Sequence, residues 1–160
     1  LEDDLDEATI DDETLGYLES GKKYLDTHVL KVYRAEFRVW SLRHGYAGTG
    51  DLLAVHRDDK LFVGDFKSGE PDVVAADLQT AAYLGALLEM GTTDVELDKE
   101  LRSTGTLVRR RSIRLFKDGR MARETLYTDP RDTSKFLGAL ALVHDQARRP
   151  SPITGWDEER

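Results

Sequence analysis

Gly45-Tyr-Ala-Gly-Thr-Gly-Asp51-Leu-Leu-Ala-Val-His56, followed by Lys60-Leu-Phe-Val-Gly-Asp65-Phe-Lys67-Ser-Gly69, is the stretch on which the fold turns. Asp51–His56 and Lys60–Lys67 are β-rich runs joined across Arg57-Asp58-Asp59, and this predicts a hairpin. Gly45, Gly48 and Gly50 predict a loop before it, with side chains removed where a backbone turns tightly or a ligand approaches. Asp65 and Lys67 stand two apart on a strand and project from one face. Pairing across the short turn brings Asp51, at the open end of the first strand, beside them. Two carboxylates and a lysine then converge, a set that can hold a hard divalent cation and neutralise charge on a phosphoryl group.

Working outward, Leu30–Trp40 alternates and predicts another strand, with Tyr33, Ala35, Phe37 and Val39 on one face and Arg34, Glu36, Arg38 and Trp40 on the other. Glu36 is a candidate third acid; paired with Arg34 or Arg38 it is an ordinary surface ion pair. Leu15, Leu18, Tyr24 and Leu25 fall near helical spacing over Asp12–His28. Downstream of the hairpin, Asp72 is a helix cap, Val73–Met90 is an apolar helix, and Gly91 stops it. Gln79 and Tyr83, at i and i+4, share a face of that helix. There the amide can position Lys67 or meet a phosphate, or Tyr83 can be core with Gln79 at its polar edge. After a polar linker, Thr106–Phe116 and Arg120–Tyr127 predict a second hairpin turning at Lys117-Asp118-Gly119. Asp132 or Thr133 caps a last helix to about Arg149, and Pro150 and Pro152 end it. The predicted order is helix, three strands, helix, two strands, helix.

The chain has 160 residues, no cysteine, and 31 acids against 23 bases. That length predicts a single domain spanning 1–160, with an acidic, flexible start over 1–11 and a polar tail over 150–160. The absence of cysteine excludes disulfides, thiolate metal sites and a thiol nucleophile. No apolar run in the sequence approaches a membrane span, and its acidic start is no signal peptide, so a cytoplasmic protein is expected. The chain opens on Leu1 rather than Met, which leads us to expect a segment upstream. A net charge of −8 argues at first against nucleic acid. Its placement argues otherwise: residues 1–20 carry nine acids and no base, whereas residues 102–123 carry eight bases against Asp118 alone. Such asymmetry is a hint of polyanion contact, a solvated surface being the plainer alternative.

Four motifs in order, Ala35-Glu36-Phe-Arg-Val-Trp-Ser41, Gly45-Tyr-Ala-Gly-Thr-Gly-Asp51, Val63-Gly-Asp-Phe-Lys-Ser-Gly69 and Leu78-Gln-Thr-Ala-Ala-Tyr83, resemble the PD-(D/E)XK nuclease superfamily. The RecB-like and lambda-exonuclease-like branch, often phage-encoded, is the most similar. The resemblance covers residues 30–90; beyond residue 95 only the coarse strand–strand–helix pattern agrees. It implies a restriction-endonuclease-like three-layer α/β/α core around a mixed sheet, and cleavage of DNA phosphodiesters with Mg²⁺ or Mn²⁺. It assigns Glu36 as the upstream acid, Asp51 and Asp65 as metal carboxylates, Lys67 as the catalytic lysine, and Gln79 and Tyr83 as the helix motif. The backbone carbonyl of Phe66 is implied as a further metal ligand. The iron–sulfur members need four cysteines and are excluded by their absence. Some members use an upstream histidine, for which His28 is a weak candidate; His44 and His56 are expected at the surface or around the site.

The expected activity is therefore a divalent-metal-dependent deoxyribonuclease in recombination, repair or phage DNA metabolism, an exonuclease rather than an endonuclease, in the cytoplasm of a bacterium or a phage-infected host. Arg109, Arg110, Arg111, Arg114 and Lys117 are expected to hold the DNA backbone. A single-strand annealing or recombination protein and a second copy of the chain are the expected partners, with no membrane. A non-cleaving DNA-binding member, and an α/β domain whose acids are merely superficial, remain as alternatives.

Overall fold

The computed structural model describes residues 10–104 and 108–148. Helix α1 (Asp12–His28) starts at Asp11, whose carboxylate accepts the Thr14 amide at 2.7 Å and so satisfies one of the helix's orphan donors. Its last residue runs straight into strand β1 (Val29–Ser41). Gly45, at φ 68°, closes the turn into β2 (Tyr46–His56), and Asp59, at φ 58°, lies in the turn into β3 (Leu61–Lys67). These three strands form an antiparallel meander.

Helix α2 (Val73–Met90) follows, capped by the Asp72 carboxylate on the amides of Val74 and Ala75. Helix α3 (Val95–Thr104) precedes β4 (Arg109–Arg114), which lies parallel to β3. The chain then closes the sheet with β5 (Arg123–Tyr127) and ends in α4 (Asp132–Arg148). The sheet is mixed, in the order β1-β2-β3-β4-β5.

This is an α/β fold in three layers. Tyr24 of α1 packs with Leu52, Ala54, Phe62 and Ile113 on one face of the sheet. Ala86 and Leu87 of α2, with Leu97 and Leu101 of α3, pack with Phe37, Val39, Leu53, Leu61 and Val63 on the other. Leu61, Phe62 and Val63 are each 0% exposed, because β3 is central and both of its faces are covered. Fully burying a side chain of this size contributes about 1.5–3 kcal/mol, so β3 is the most strongly held strand of the sheet. Helix α2 is long and apolar enough to cross a membrane, yet its alanines pack against the sheet as a core helix.

Three sequence expectations need correction. The predicted glycine loop is shorter: only residues 42–45 turn, and Gly48 and Gly50 are paired within β2 opposite Val39 and Phe37. The predicted polar linker contains α3, whose Leu97 and Leu101 are buried at helical spacing within an otherwise charged run. Asp132 does not serve as a simple cap, since it is 1% exposed and bonded to Arg110 and Lys135. Residues 106–107 of the second predicted hairpin, residue 105 before them, most of the acidic start and the proline-containing tail lie outside the described residues.

Candidate active site

The site forms where the β2–β3 ladder ends. Leu52 pairs with Gly64, and one further step along the same register sets Asp51 beside Asp65. Asp51 Oδ2 accepts the Phe66 amide at 2.6 Å, replacing the ladder bond that β2 no longer supplies. A strand residue's N–H and C=O point to the same side, so the Phe66 carbonyl also faces Asp51. Asp65 and Lys67 share the α2 face of β3, with Lys67 Nζ 2.6 Å from Asp65 Oδ2. Lys67 Nζ donates to Gln79 Oε1 at 2.9 Å, and Gln79 Nε2 donates to the Tyr83 hydroxyl at 2.6 Å. The i, i+4 pair on α2 thus reaches down to the strand. Tyr83 takes up the amide's NH₂ end and so directs its carbonyl oxygen at the lysine.

Tyr83 lies against Gly48: a Cβ there would sit 2.8 Å from the ring. Gly50 gives way to Phe37 in the same manner, a Cβ there falling 2.5 Å from that ring. The glycines preceding Asp51 therefore admit two aromatic rings within a strand, in place of the open loop their composition predicts.

Electrostatically the site is under tension. Asp65 is 2% exposed, and burial pushes its carboxyl above the ordinary aspartate value; Lys67 pulls it down, and the Asp51 charge raises it further. Lys67 Nζ is the close partner of Asp65 Oδ2, an ion pair that offsets part of the cost of burial. A buried carboxylate beside a second carboxylate and a backbone carbonyl is an all-oxygen set that fits Mg²⁺ or Mn²⁺. Burial likewise raises the Tyr83 phenol, against the opposing Gln79 bond and with the charges of Asp65 and Asp51 adding to it. A cleft of about 370 Å³ opens beside this set, lined by Phe66, Lys67, Ser68, Glu70 and Gln79 among others.

Glu36 lies across β2 from Asp51, between the pairs Ala35–Leu52 and Phe37–Gly50, so the register sets three acids in one row. Its carboxylate is nevertheless exposed and does not join the other two: among the described residues no group of three or more metal-ligating side chains gathers. The backbone shows why. Leu52 packs on the α1 side, whereas Phe37 packs on the α2 side, so the facing of β1 and β2 reverses at the Glu36–Asp51 step. Glu36 sits at φ 47° within that reversal, a left-handed conformation that costs a non-glycine residue energy. The single alternation predicted for Tyr33–Trp40 fails at the same point, with Ala35 exposed while Phe37 and Val39 are buried.

The basic stretch divides. Arg110 is 6% exposed and bridges Asp77 of α2 at 2.7 Å and Asp132 of α4 at 2.6 Å. Arg111 is 2% exposed, contacts Asp58 and Glu124, each at 3.2 Å, and stacks on Phe62. Both are therefore withdrawn from the DNA track expected of them, their charge being spent inside the fold. Arg109 is partly exposed, Lys117 is exposed, and Arg114 pairs in register with Lys67 while bonding to Glu70. His28 stacks on His56 at 5.7 Å on the α1 side, at the far end of β2 from Asp51, so neither joins the site. His44 is half-buried at the β1–β2 turn, where its amide donates to Ser41.

Sequence reasoning missed Gly48 as the wall behind Tyr83, for which its place among the spaced glycines was the available signal. It also missed Asp77 and Asp132 as the partners that draw Arg110 inward. Compared with protein-family models and with curated proteins, the chain matches none.

Proposed function

We propose that this protein is a Mg²⁺- or Mn²⁺-dependent DNA nuclease of the PD-(D/E)XK kind, an exonuclease in preference to an endonuclease, and that its three-layer α/β core is restriction-endonuclease-like. One observation carries the reading. Asp65, Lys67, Gln79 and Tyr83 form a continuous polar chain that starts from a buried carboxylate, and Asp51, bonded to the Phe66 amide between Asp65 and Lys67, stands beside it.

In this reading Asp51, Asp65 and the Phe66 carbonyl would hold the cation, Glu36, set in the same row by the strand register, would strengthen that binding, and the cation would lower the pKa of a water and draw charge from the scissile phosphate. Lys67 orients the attacking water and offsets the charge that develops on the phosphoryl oxygens. Gln79 fixes the ammonium, and Tyr83 fixes Gln79, so the donor is aimed before substrate arrives. The Asp65 carboxylate, disfavoured by burial and by Asp51, gains most from a cation, which couples metal binding to readiness for catalysis. Arg109, Arg114 and Lys117 remain to meet DNA phosphates once Arg110 and Arg111 are committed to the fold.

The position of Glu36, away from the two aspartates, favours a second reading in which the chain binds DNA without cutting it. Incubation with Mg²⁺ or Mn²⁺ and either linear or covalently closed DNA separates these. Loss of linear DNA alone is the expected result; cutting of both points to an endonuclease, and cutting of neither contradicts the nuclease reading.

A further inference from the structure

The far half of the β1–β2 hairpin carries an uncovered sheet face. Phe37, Val39 and Ser41 are buried toward α2, so Arg38 and Trp40 point the other way, and both are exposed, as are Thr49 and Ala47, their partners on β2. Trp40 is 47% exposed, and Leu42 beyond it 86%. A tryptophan left this open, here next to the last residue of edge strand β1, is unusual, because an indole is among the most favourable side chains to bury. It also borders a cleft of about 640 Å³ that runs past Leu42, Met90 and Thr92.

Three features point to one occupant. The residues opposite are small, so Ala47 and Thr49 leave the indole open to a flat ring. Arg38 and Arg43 are exposed and carry no ion pair among the described residues; of the acids near them, Glu89 is turned onto the Ser41 hydroxyl and the Arg43 amide, and Glu36 is exposed two residues from Arg38. The face also ends close to the candidate active site along the chain: Arg38 is two residues from Glu36 and Thr49 two residues from Asp51, a step of about 6.6 Å along each strand, with the facing of both strands reversing in between. Cations spaced along a strand beside an open aromatic ring are the means by which sheet surfaces hold unpaired nucleotides.

We propose that this face binds single-stranded DNA, with a nucleobase stacked on Trp40 and the neighbouring phosphates on Arg38 and Arg43. The assignment rests on the nuclease reading for its role and on the hairpin alone for its chemistry. A duplex offers no free base face to Trp40.

The sequence has two tryptophans, so Trp156→Phe leaves Trp40 as the sole reporter. In EDTA, to keep the strand intact, a thymidine 12-mer is titrated against this variant, beside an abasic oligomer of equal length and a blunt duplex. Quenching by the 12-mer, with little from the other two, is the expected result. Trp40→Ala should weaken binding roughly tenfold, at the lower end of what stacking one base contributes, while Trp40→Phe keeps most of the affinity. Arg38→Ala should lower the salt slope by about 0.7, the share of one phosphate that the arginine no longer neutralises. Equal quenching by the abasic strand, no quenching at all, or Trp40→Ala binding as well as the parent would overturn the proposal. The two readings fail separately. Cleavage of linear DNA without quenching removes only this inference, whereas quenching without Mg²⁺- or Mn²⁺-dependent cleavage removes the nuclease reading.

Discussion

Replacing Glu36 by glycine should make the metal-free protein more stable and the metal-loaded protein less so. Glu36 sits at φ 47° in a strand where its neighbours are extended. A left-handed conformation costs a residue with a Cβ about 1–2 kcal/mol, and glycine is released from that cost. Glycine also loses more freedom on folding, roughly 0.5–1 kcal/mol, so the net gain is about 0.5–1 kcal/mol. For a domain of this length that is a rise in Tm of roughly 1–4 °C without metal. With metal at a hundredfold excess over its Kd, the native state gains about 2.7 kcal/mol. If the acid strengthens binding tenfold, its removal takes away about 1.4 kcal/mol of that gain and reverses the order of the two proteins.

Glu36→Ala separates the two effects, because alanine keeps the backbone cost and lacks the carboxylate. It should melt with the parent in EDTA and below it in Mg²⁺. Thermal unfolding followed by circular dichroism, in EDTA and in a Mg²⁺ series, reads all three proteins. A glycine variant that melts below the parent in EDTA would refute the attribution of strain to Glu36. An identical Mg²⁺ shift in all three would remove Glu36 from the metal site.

Other consequences are as direct. Gly48→Ala should reduce cleavage at least tenfold with little change in Tm, because its Cβ displaces the Tyr83 ring and loosens Gln79 and Lys67; a Tyr83→Phe variant with full activity would show that the hydroxyl is dispensable. Arg110→Ala should destabilise by about 3 kcal/mol, since it leaves the half-buried Asp77 without its cation and the buried Asp132 with Lys135 alone, and should leave the salt slope of DNA binding unchanged; a reduced slope with normal stability would return Arg110 to the DNA track. The raised carboxyl of Asp65 gives the metal-free protein stability that is complete below the unfolded aspartate value and is lost as pH rises through the raised one. Asp65→Asn should flatten that dependence in a pH series of Tm values. Metal affinity runs the opposite way, weakening as pH falls through the same titration.

Much of this was legible in the sequence because it is local. The spacing of Asp65 and Lys67 fixes a shared face, the Gln79–Tyr83 interval fixes a helical pair, and Gly91 ends α2 at φ 66°, as its place after the apolar run predicts. Pairing across the short β2–β3 turn also sets Asp51 against the end of β3, as its bond to the Phe66 amide shows. What was not legible depends on partners distant in the chain. Arg109, Arg110 and Arg111 are alike in sequence, and only their pairing with β3 and β5, and the arrival of Asp77 and Asp132, decide which of them are buried. Alternation likewise gives no sign that β1 and β2 reverse their facing together at Glu36 and Asp51. Helix α3 escaped because its apolar anchors, Leu97 and Leu101, stand within a run of charged residues.

The central claim is that Asp51, Asp65 and Lys67 hydrolyse phosphodiesters with a divalent cation. Its most direct test is the rate at which end-labelled linear DNA is degraded in Mg²⁺ or Mn²⁺ by the parent protein and by Lys67→Ala, with circular dichroism to verify the fold of both. The account predicts metal-dependent degradation by the parent and a fall of at least a hundredfold in a folded Lys67→Ala. Equal rates for the two proteins, or no degradation by the parent in either metal, would contradict it.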